Sequence, residues 1–281
     1  MSQLFQRLKE ATELLRSKNF ERAEVEARAL MSIVLGCDAA AIIALDDRPL
    51  LPKEGLQFDE LLKRRLRYEP LAYLRGEKEF FGRKFKVSPG CLIPRPETES
   101  LVEEVIRWIR SRGISSGKII DIGTGSGCIA LSLQRELGSE FSFTAVDRSS
   151  EALSVAKSNA QSLGASNIEF LQWDLLRSED LPSANEWTVV VSNPPYIPSA
   201  EIPDLQADVR DFEPRMALDG GEDGLLFVRE IIDRFWPSLT IPGLLALELH
   251  SSAQREHVQA EFSSLRMKDW VVGPHLLMER L

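Results

Sequence analysis

The apolar run Trp187-Thr188-Val189-Val190-Val191-Ser192 closes on Asn193-Pro194-Pro195-Tyr196, and this junction constrains the fold most. Six residues with almost no polar face read as a strand buried on both sides, as in a parallel sheet. Two consecutive prolines cannot continue a ladder, so the chain must leave the sheet at its carboxyl edge. Open α/β sheets bind their ligands at that edge. The tetrapeptide suits a planar NH2 group. The Asn193 side-chain oxygen and a backbone carbonyl near Pro194 can each accept one of its hydrogens. Neither proline carries an N–H to compete for those acceptors. Tyr196 can lie against the face of the planar group and shelter a cation. Read alone, the tetrapeptide is equally a proline-rich turn that ends a strand.

An upstream motif weighs against that bland reading. Lys118-Ile119-Ile120-Asp121-Ile122 runs into Gly123-Thr124-Gly125-Ser126-Gly127, and Cys128-Ile129-Ala130 opens a helix. The glycines permit close approach of a ligand and positive φ. The spacing is G-x-G-x-G, not the G-x-G-x-x-G of a dinucleotide site. A second strand, Phe141 to Val146, ends at Asp147, which can accept both hydroxyls of a ribose. A third, Ile168 to Gln172, leads to Trp173-Asp174-Leu175. Asp174 can accept an adenine amine, with an apolar neighbour covering the ring. A glycine turn and two acids at successive strand ends fit a nucleoside without a pyrophosphate, such as S-adenosylmethionine.

These residues carry a resemblance. The chain resembles class I S-adenosylmethionine-dependent methyltransferases, and more closely those that methylate the glutamine N5 of class I peptide-chain release factors. The match extends to Glu69-Pro70-Leu71-Ala72-Tyr73-Leu74-Arg75-Gly76, Phe80-Phe81-Gly82, Leu92-Ile93-Pro94-Arg95-Pro96-Glu97-Thr98-Glu99, and Glu213 to Leu225. The resemblance implies methyl transfer to the glutamine of a Gly-Gly-Gln loop, which tunes translation termination. Asn193, Pro194, Pro195 and Tyr196 are then catalytic and substrate-binding. Gly123, Thr124, Gly125, Ser126, Gly127, Asp147, Asp174, Leu175 and Asn193 are cofactor-binding. Arg95 and Thr98 resemble positions near the cofactor, although Arg95 can instead pair with Glu97 or Glu99. The tetrapeptide is shared with adenine-N6 methyltransferases, which makes action on DNA or RNA the alternative.

Two departures stand out. Leu175 follows Asp174 where the family often has tryptophan or phenylalanine, so either Trp173 or Leu175 covers the adenine. Glu248-Leu249-His250-Ser251-Ser252-Ala253-Gln254 replaces a glycine-containing turn, in a place expected to lie away from the key motifs. The end, Trp270 to Leu281, is only loosely family-like.

A chain of 281 residues suits one large and one small domain. The expected division is a helical docking domain at 1–75, a β-hairpin linker at 76–93 and a methyltransferase domain at 94–281. The fold class is α/β, a Rossmann-like doubly wound sheet with an N-terminal helical bundle joined by a hairpin. In the bundle, Leu4, Leu8, Ala11 and Leu15 mark one helix. Asn19 is expected to cap a second that stops at Gly36. Asp38 is expected to cap a short third, and a fourth runs from near Leu56 through Leu66. Phe80, Phe81, Phe85 and Val87 suggest the hairpin. Another helix is expected from about Thr98, with Leu101, Val102, Val105, Ile106 and Ile109 facing the core. Ile197 to Gly224 lacks periodicity and reads as an active-site wall or lid. Glu222 and Asp223 read as capping residues for the helix near Gly224.

The net charge of −9 lies almost wholly beyond residue 75, which is a poor match for a phosphate backbone. The one compact basic run, Lys63-Arg64-Arg65 with Arg67, reads as a solvated helix face. No nucleic-acid partner is expected. The N-terminus lacks a secretory apolar region, and no run approaches a membrane span. Cys37, Cys91 and Cys128 have no metal-like spacing and suit a reducing cytoplasm; three scattered histidines add no metal site.

Overall fold

The computed structural model describes residues 3–45, 48–182, 186–265, 267–273 and 275–281. The chain forms two compact units. One comprises Met1–Gly76 with Ala207–Phe212, the other Glu77–Gln206 with Glu213–Leu281.

The first unit is helical: α1 (Gln3–Ser17), α2 (Ala23–Leu35), α3 (Ala41–Ala44), α4 (Pro52–Arg65) and α5 (Leu71–Arg75). Leu4, Ala11 and Leu15 of α1 pack with Ala27, Leu30 and Met31 of α2 and Phe58 of α4. Such short helices hold only because their apolar faces bury one another. Three expectations fail here. Asn19 does not cap α2; it adopts φ 62° in the preceding turn, and Arg22 stands at the cap without a side-chain bond. Asparagine tolerates that left-handed conformation better than most residues. Ala40, not Asp38, precedes α3; Asp38 contributes its backbone carbonyl to Ala41 N. The fourth helix starts at Pro52, four residues early, because proline suits a first turn and Glu54 accepts from Leu51 N at 2.9 Å.

Arg65 overturns the solvated-face reading of the basic run. It is buried, and its guanidinium meets Glu26 at 2.8 Å and the carbonyls of Tyr68 and Glu69, over the ring of Phe20. Asp208 also lies 3.8 Å from it. A planar guanidinium has enough donors to satisfy this set inside a core.

The second unit opens with the hairpin β1 (Glu77–Phe80) and β2 (Arg83–Lys86), then α6 (Pro96–Ser111). It continues with β3 (Gly117–Ile122), α7 (Cys128–Leu137), β4 (Phe141–Asp147), α8 (Ser150–Leu163), β5 (Ile168–Gln172) and β6 (Trp187–Ser192). The short α9 (Ala207–Arg210) falls in the segment that clusters with the helical unit. Then follow α10 (Leu226–Phe235), β7 (Leu239–Glu248), α11 (Ser252–Glu261), β8 (Met267–Val272) and β9 (His275–Arg280). The α6 core face matches its periodicity: Leu101, Val102, Val105, Ile106 and Ile109 are all buried.

Seven strands form one sheet in the order β5-β4-β3-β6-β7-β9-β8, all running the same way except β9, which is antiparallel to both its neighbours. Alternation divides the strands between two cores. Ile119, Val189, Val191, Leu244 and Ala246 join one with α6 and α7. Ile120, Ile122, Val190, Leu245 and Leu247 join the other with α10. Strands covered on both faces read as continuous apolar runs, which is why β6 was legible. Among the described residues no helix is long and apolar enough to cross a membrane.

Replacing Arg65 with alanine strands Glu26 and two carbonyls. The expected loss is roughly 3 kcal/mol, the lower end for a broken buried pair because Glu26 keeps some solvent. Urea unfolding followed by circular dichroism measures it; an unchanged midpoint would show that the pair is unimportant.

Candidate active site

In the order just described, β3 lies between β4 and β6, so crossovers leave its carboxyl end in opposite directions. A cleft opens there, as expected of open α/β sheets. Its walls come from the turn after β3 (Gly123, Gly125), the end of β4 (Asp147, Arg148), the end of β5 (Trp173, Asp174, Leu175) and the exit of β6 (Asn193, Pro194, Pro195). Distant segments complete it: Gly90, Cys91 and Leu92 before α6, Met216 and Ala217 after α9, and Phe227 and Ile231 of α10. Sequence reasoning missed these apolar contributors. Phe227 and Ile231 share a helix face with core residues, so periodicity reads them as packing.

The glycine turn divides its labour. Gly123 and Gly125 have positive φ, and a Cβ added at either would meet open space or only a distant carbonyl. That empty cradle in front of the backbone fits a ligand lying across the turn. Thr124, Ser126 and Gly127 stand behind the wall. Thr124 and Ser126 are buried, and Thr124 Oγ1 donates to Asp121 Oδ2 at 2.7 Å. A Cβ at Gly127 would press on Leu131 and Ala156, so its need is helix packing.

Asp121 itself is buried. Its Oδ2 also accepts from Ala130 N at 3.2 Å, while Oδ1 has no partner among the described residues. Burial pushes its carboxyl up to about 7, against the pull of these two hydrogen bonds. Asp147 accepts Ser149 N on Oδ1 and Gly125 N on Oδ2, each at 2.9 Å. Each oxygen keeps a lone pair for a ligand hydroxyl. Burial raises this carboxyl too, and the two backbone N–H groups oppose the rise. Asp174 Oδ1 accepts Leu176 N at 3.0 Å, and Oδ2 lies 3.9 Å from both Arg148 and Arg177. Trp173 and Leu175 both reach the cleft. The Trp173 ring is already engaged edge-on by Phe235 and face-on by Arg234, and its indole N–H donates to Asp180 O.

At the β6 exit, Asn193 Nδ2 donates to Thr98 Oγ1 at 3.0 Å. Among the described residues nothing donates to Asn193 Oδ1 or to the Pro194 carbonyl oxygen. Two acceptors are thus uncommitted beside one another in sequence. Tyr196 does not line the cleft. Its hydroxyl donates to Glu248 Oε1 at 3.2 Å and its ring stacks on His250. Burial and the Glu248 charge beside it push the phenol well above its usual range.

Residues 248–254 therefore correct an expectation: they touch the tetrapeptide. Besides Glu248 and His250, Gln254 Nε2 donates to Tyr196 O at 2.9 Å and Asp223 O at 3.1 Å. Gly224 packs so closely that a Cβ there would fall 2.2 Å from Tyr196 O, which explains a glycine in the 213–225 segment. Glu248 was missed because a single acid at the end of an apolar strand gives no local signal. Burial raises its carboxyl, against the opposing influence of the polar groups nearby, of which the Tyr196 hydroxyl donates to it.

Arg95 pairs with neither Glu97 nor Glu99. It meets the buried Glu213 at 2.6 Å, and Glu213 also accepts Ile93 N at 3.1 Å. This pair ties the entry to α6 to the segment after α9. Neither Glu222 nor Asp223 caps α10, whose cap position is held by Leu225 without a side-chain bond; Asp223 instead accepts Leu225 N at 3.0 Å and grips Arg229.

Residues 6–76 match the family described as the PrmC N-terminal domain, and residues 115–220 match a methyltransferase domain. The chain is 37% identical over 254 residues to the release factor glutamine methyltransferase of Koribacter versatilis, covering 88% of this chain and 84% of that one. The enzyme of the same name from Geobacter sulfurreducens is 39% identical over 250 residues, covering 89% and 84%. The chain belongs to the release factor glutamine methyltransferase family. A solved methyltransferase from Pyrococcus furiosus shares the family's fold at 18% identity and a TM-score of 0.51, over 78% of this chain and 98% of that one.

Asp121 carries a pH dependence for this family member. An acid whose folded pKa is raised keeps a proton that the unfolded chain releases near 3.8. Its contribution therefore falls as pH rises from 3.8 toward about 7 and is level above. Asp121→Asn removes that slope. Urea midpoints at pH 5 and pH 8 should drop more between the two in the wild type than in the variant; equal drops would contradict the burial argument.

Proposed function

We propose that this protein transfers a methyl group from S-adenosylmethionine to the side-chain amide nitrogen of the glutamine in the Gly-Gly-Gln motif of class I peptide-chain release factors. The observation that carries this reading is the pair of uncommitted acceptors, Asn193 Oδ1 and Pro194 O, at the rim of the cleft in a member of this family. The relatives are named for glutamine and release factors, and nothing favours an adenine in nucleic acid.

The cleft residues fit the cofactor in parts. Asp147 would hold the ribose hydroxyls, the Gly123–Gly125 backbone the amino-acid portion, and Asp174 the adenine amine; all of these residues line the cleft. Leu175, Phe227 and Ile231 supply apolar cover, since Trp173 has both its face and its edge engaged. When bound, S-adenosylmethionine supplies an electrophilic methyl group on a sulfonium.

An amide nitrogen is a weak nucleophile because its lone pair is delocalised. Asn193 Oδ1 and Pro194 O each accept one hydrogen of the NH2 and so fix the nitrogen in place and orientation. As the nitrogen gains positive charge, the same acceptors hold it more strongly. Binding that strengthens only toward the transition state lowers the barrier. Tyr196 holds the end of the tetrapeptide through Glu248 and His250. The helical domain, residues 1–75, serves in this reading to dock the release factor.

Mass spectrometry of a purified release factor after incubation with the protein and cofactor tests the reading. A gain of one methyl on the Gly-Gly-Gln glutamine is expected, and no gain would reject it. Asn193→Ala should cut single-turnover methylation ~10²–10³-fold, as for other lost transition-state partners. Near wild-type rates would remove the clamp.

Asp147→Ala should weaken the cofactor dissociation constant by ~1.5–3 kcal/mol, the range for hydrogen bonds to a charged group. Calorimetry reads this directly, and an unchanged constant would place the ribose elsewhere.

A further inference from the structure

We propose that Gln254 is the positioning residue that holds the exit of the tetrapeptide, and with it the direction of the Pro194 carbonyl. The inference rests on the amide clamp proposed above and names what keeps its backbone half in place. The Asn193 acceptor sits on a side chain that Thr98 holds directly. The Pro194 acceptor is a backbone oxygen, aimed by the torsions on either side of it. Proline rings fix φ at residues 194 and 195, and the peptide units are planar, so ψ at the two prolines is what stays soft. The entry is fixed by β6, whose last residue, Ser192, pairs with Ile122 on one side and Leu247 on the other. The aim of the Pro194 carbonyl is then settled by whatever holds the other end.

Gln254 holds it. The residue lies in the first turn of α11 and is buried. Its Nε2 donates to Tyr196 O at 2.9 Å and to Asp223 O at 3.1 Å, and its Oε1 accepts His250 N at 3.0 Å. One side chain thus joins the tetrapeptide, the segment before α10 and the turn after β7. All three partners are backbone groups of fixed sense, so they settle which end of the amide is which. Glycines bring these backbones together. A Cβ on Gly224 would fall 2.2 Å from Tyr196 O and 2.3 Å from Gln254 Nε2, and one on Gly220 would fall 2.8 Å from Pro195 O. Just beyond Tyr196, Ile197 N donates to Leu218 O and Ile197 O accepts Gly220 N.

A simpler role competes with this one. Ser251-Ser252-Ala253-Gln254 has the spacing of a capping box, and Ser251 Oγ accepts Gln254 N at 3.2 Å. Gln254 Oε1 returns the bond to the N–H one residue before the cap. Capping of this kind uses the side-chain oxygen alone, and glutamate serves it as well as glutamine. The two carbonyls at Tyr196 and Asp223 ask for a donor, which glutamine carries and an ionised glutamate lacks.

Gln254→Glu separates the two roles in the full chain. It keeps an oxygen for His250 N and sets a second oxygen against the Tyr196 and Asp223 carbonyls. Single-turnover methylation of a release factor at about pH 8.5 should fall about 10–100-fold, the worth of one or two lost hydrogen bonds. The calorimetric dissociation constant for S-adenosylmethionine should stay within about threefold. A protonated carboxyl donates to the carbonyls and an ionised one repels them, so the ratio of variant to wild-type rate should rise as pH falls toward about 5.5. Asp223 with Arg229, Glu248, and His250 beside Glu201 face the same backbone. Their titration is common to both proteins and drops out of the ratio. Without substrate, hydrogen exchange followed by NMR at about pH 8.5 should be at least about tenfold faster for the Ile197 and Gly220 amides in Gln254→Glu, while the His250 amide keeps its protection. Gln254→Leu loses acceptor and donor alike; it should release all three amides and show no recovery at low pH.

Wild-type rate and wild-type Ile197 exchange in Gln254→Glu would overturn the proposal and leave Gln254 as a helix cap. A loss of rate that low pH does not reverse would overturn it as well. If the wild type itself failed to methylate the glutamine, the functional reading would fall; faster Ile197 exchange in Gln254→Glu would still uphold Gln254 as the residue that holds the exit, and equal exchange would overturn that too.

Discussion

Everything at the cleft depends on two parallel strands, β3 and β6, lying side by side while their chains depart to different places. After β3 the backbone turns back through glycines into α7, with Asp121 buried beneath the turn and holding both Thr124 and the first turn of the helix. After β6 two prolines deny the sheet any further ladder bond, and Asn193 is left at its edge. Ser192, the last residue of β6, donates its hydroxyl to Ile122 O at 2.6 Å and pins the two exits together. The cofactor-type turn and the amide-type clamp are therefore neighbours because of strand order, whatever their distance in sequence.

The polar groups behind the clamp are costly to bury, and the structure offsets that cost with two hydrogen-bonded pairs, Asn193 with Thr98 and Tyr196 with Glu248. Asn193 and Tyr196 come from the β6 exit, Thr98 from α6 and Glu248 from β7. Arg95 with Glu213 and Gln254 with Tyr196 brace the same region from outside. The contrast with Arg65 is instructive. That guanidinium is equally buried and equally well partnered, yet it serves the helical unit alone, where it replaces an apolar contact by directional ones.

How much of this was legible depended on whether the signal was local. Buried strands announce themselves as apolar runs, so β3, β4 and β6 could be read directly, as could the acid that ends β4 and the one that follows β5, while the half-buried edge strand β5 showed by alternation. The core face of α6 followed from its period. Boundaries governed by a single residue were less secure. Asn19 looked like a cap and serves as a left-handed turn, and Pro52 opened α4 before its periodicity was visible. Arg65 sat in a run of charges whose neighbours are solvated, and nothing local separates a buried arginine from an exposed one.

The sequence by itself determined the class of fold, the membership of the family and the residues of the two motifs, because strand burial, glycine turns and proline stops act over a few residues. Only the tertiary structure decided what surrounds those motifs. It set Glu248 behind Tyr196, His250 and Gln254 against the tetrapeptide, Glu213 on Arg95, and Phe227 and Ile231 in the cleft wall. Each of these joins residues whose order in the chain carries no information about their distance. Side chains on separate strands and helices meet only when a whole sheet fixes their register, and a register is a property of the assembled sheet.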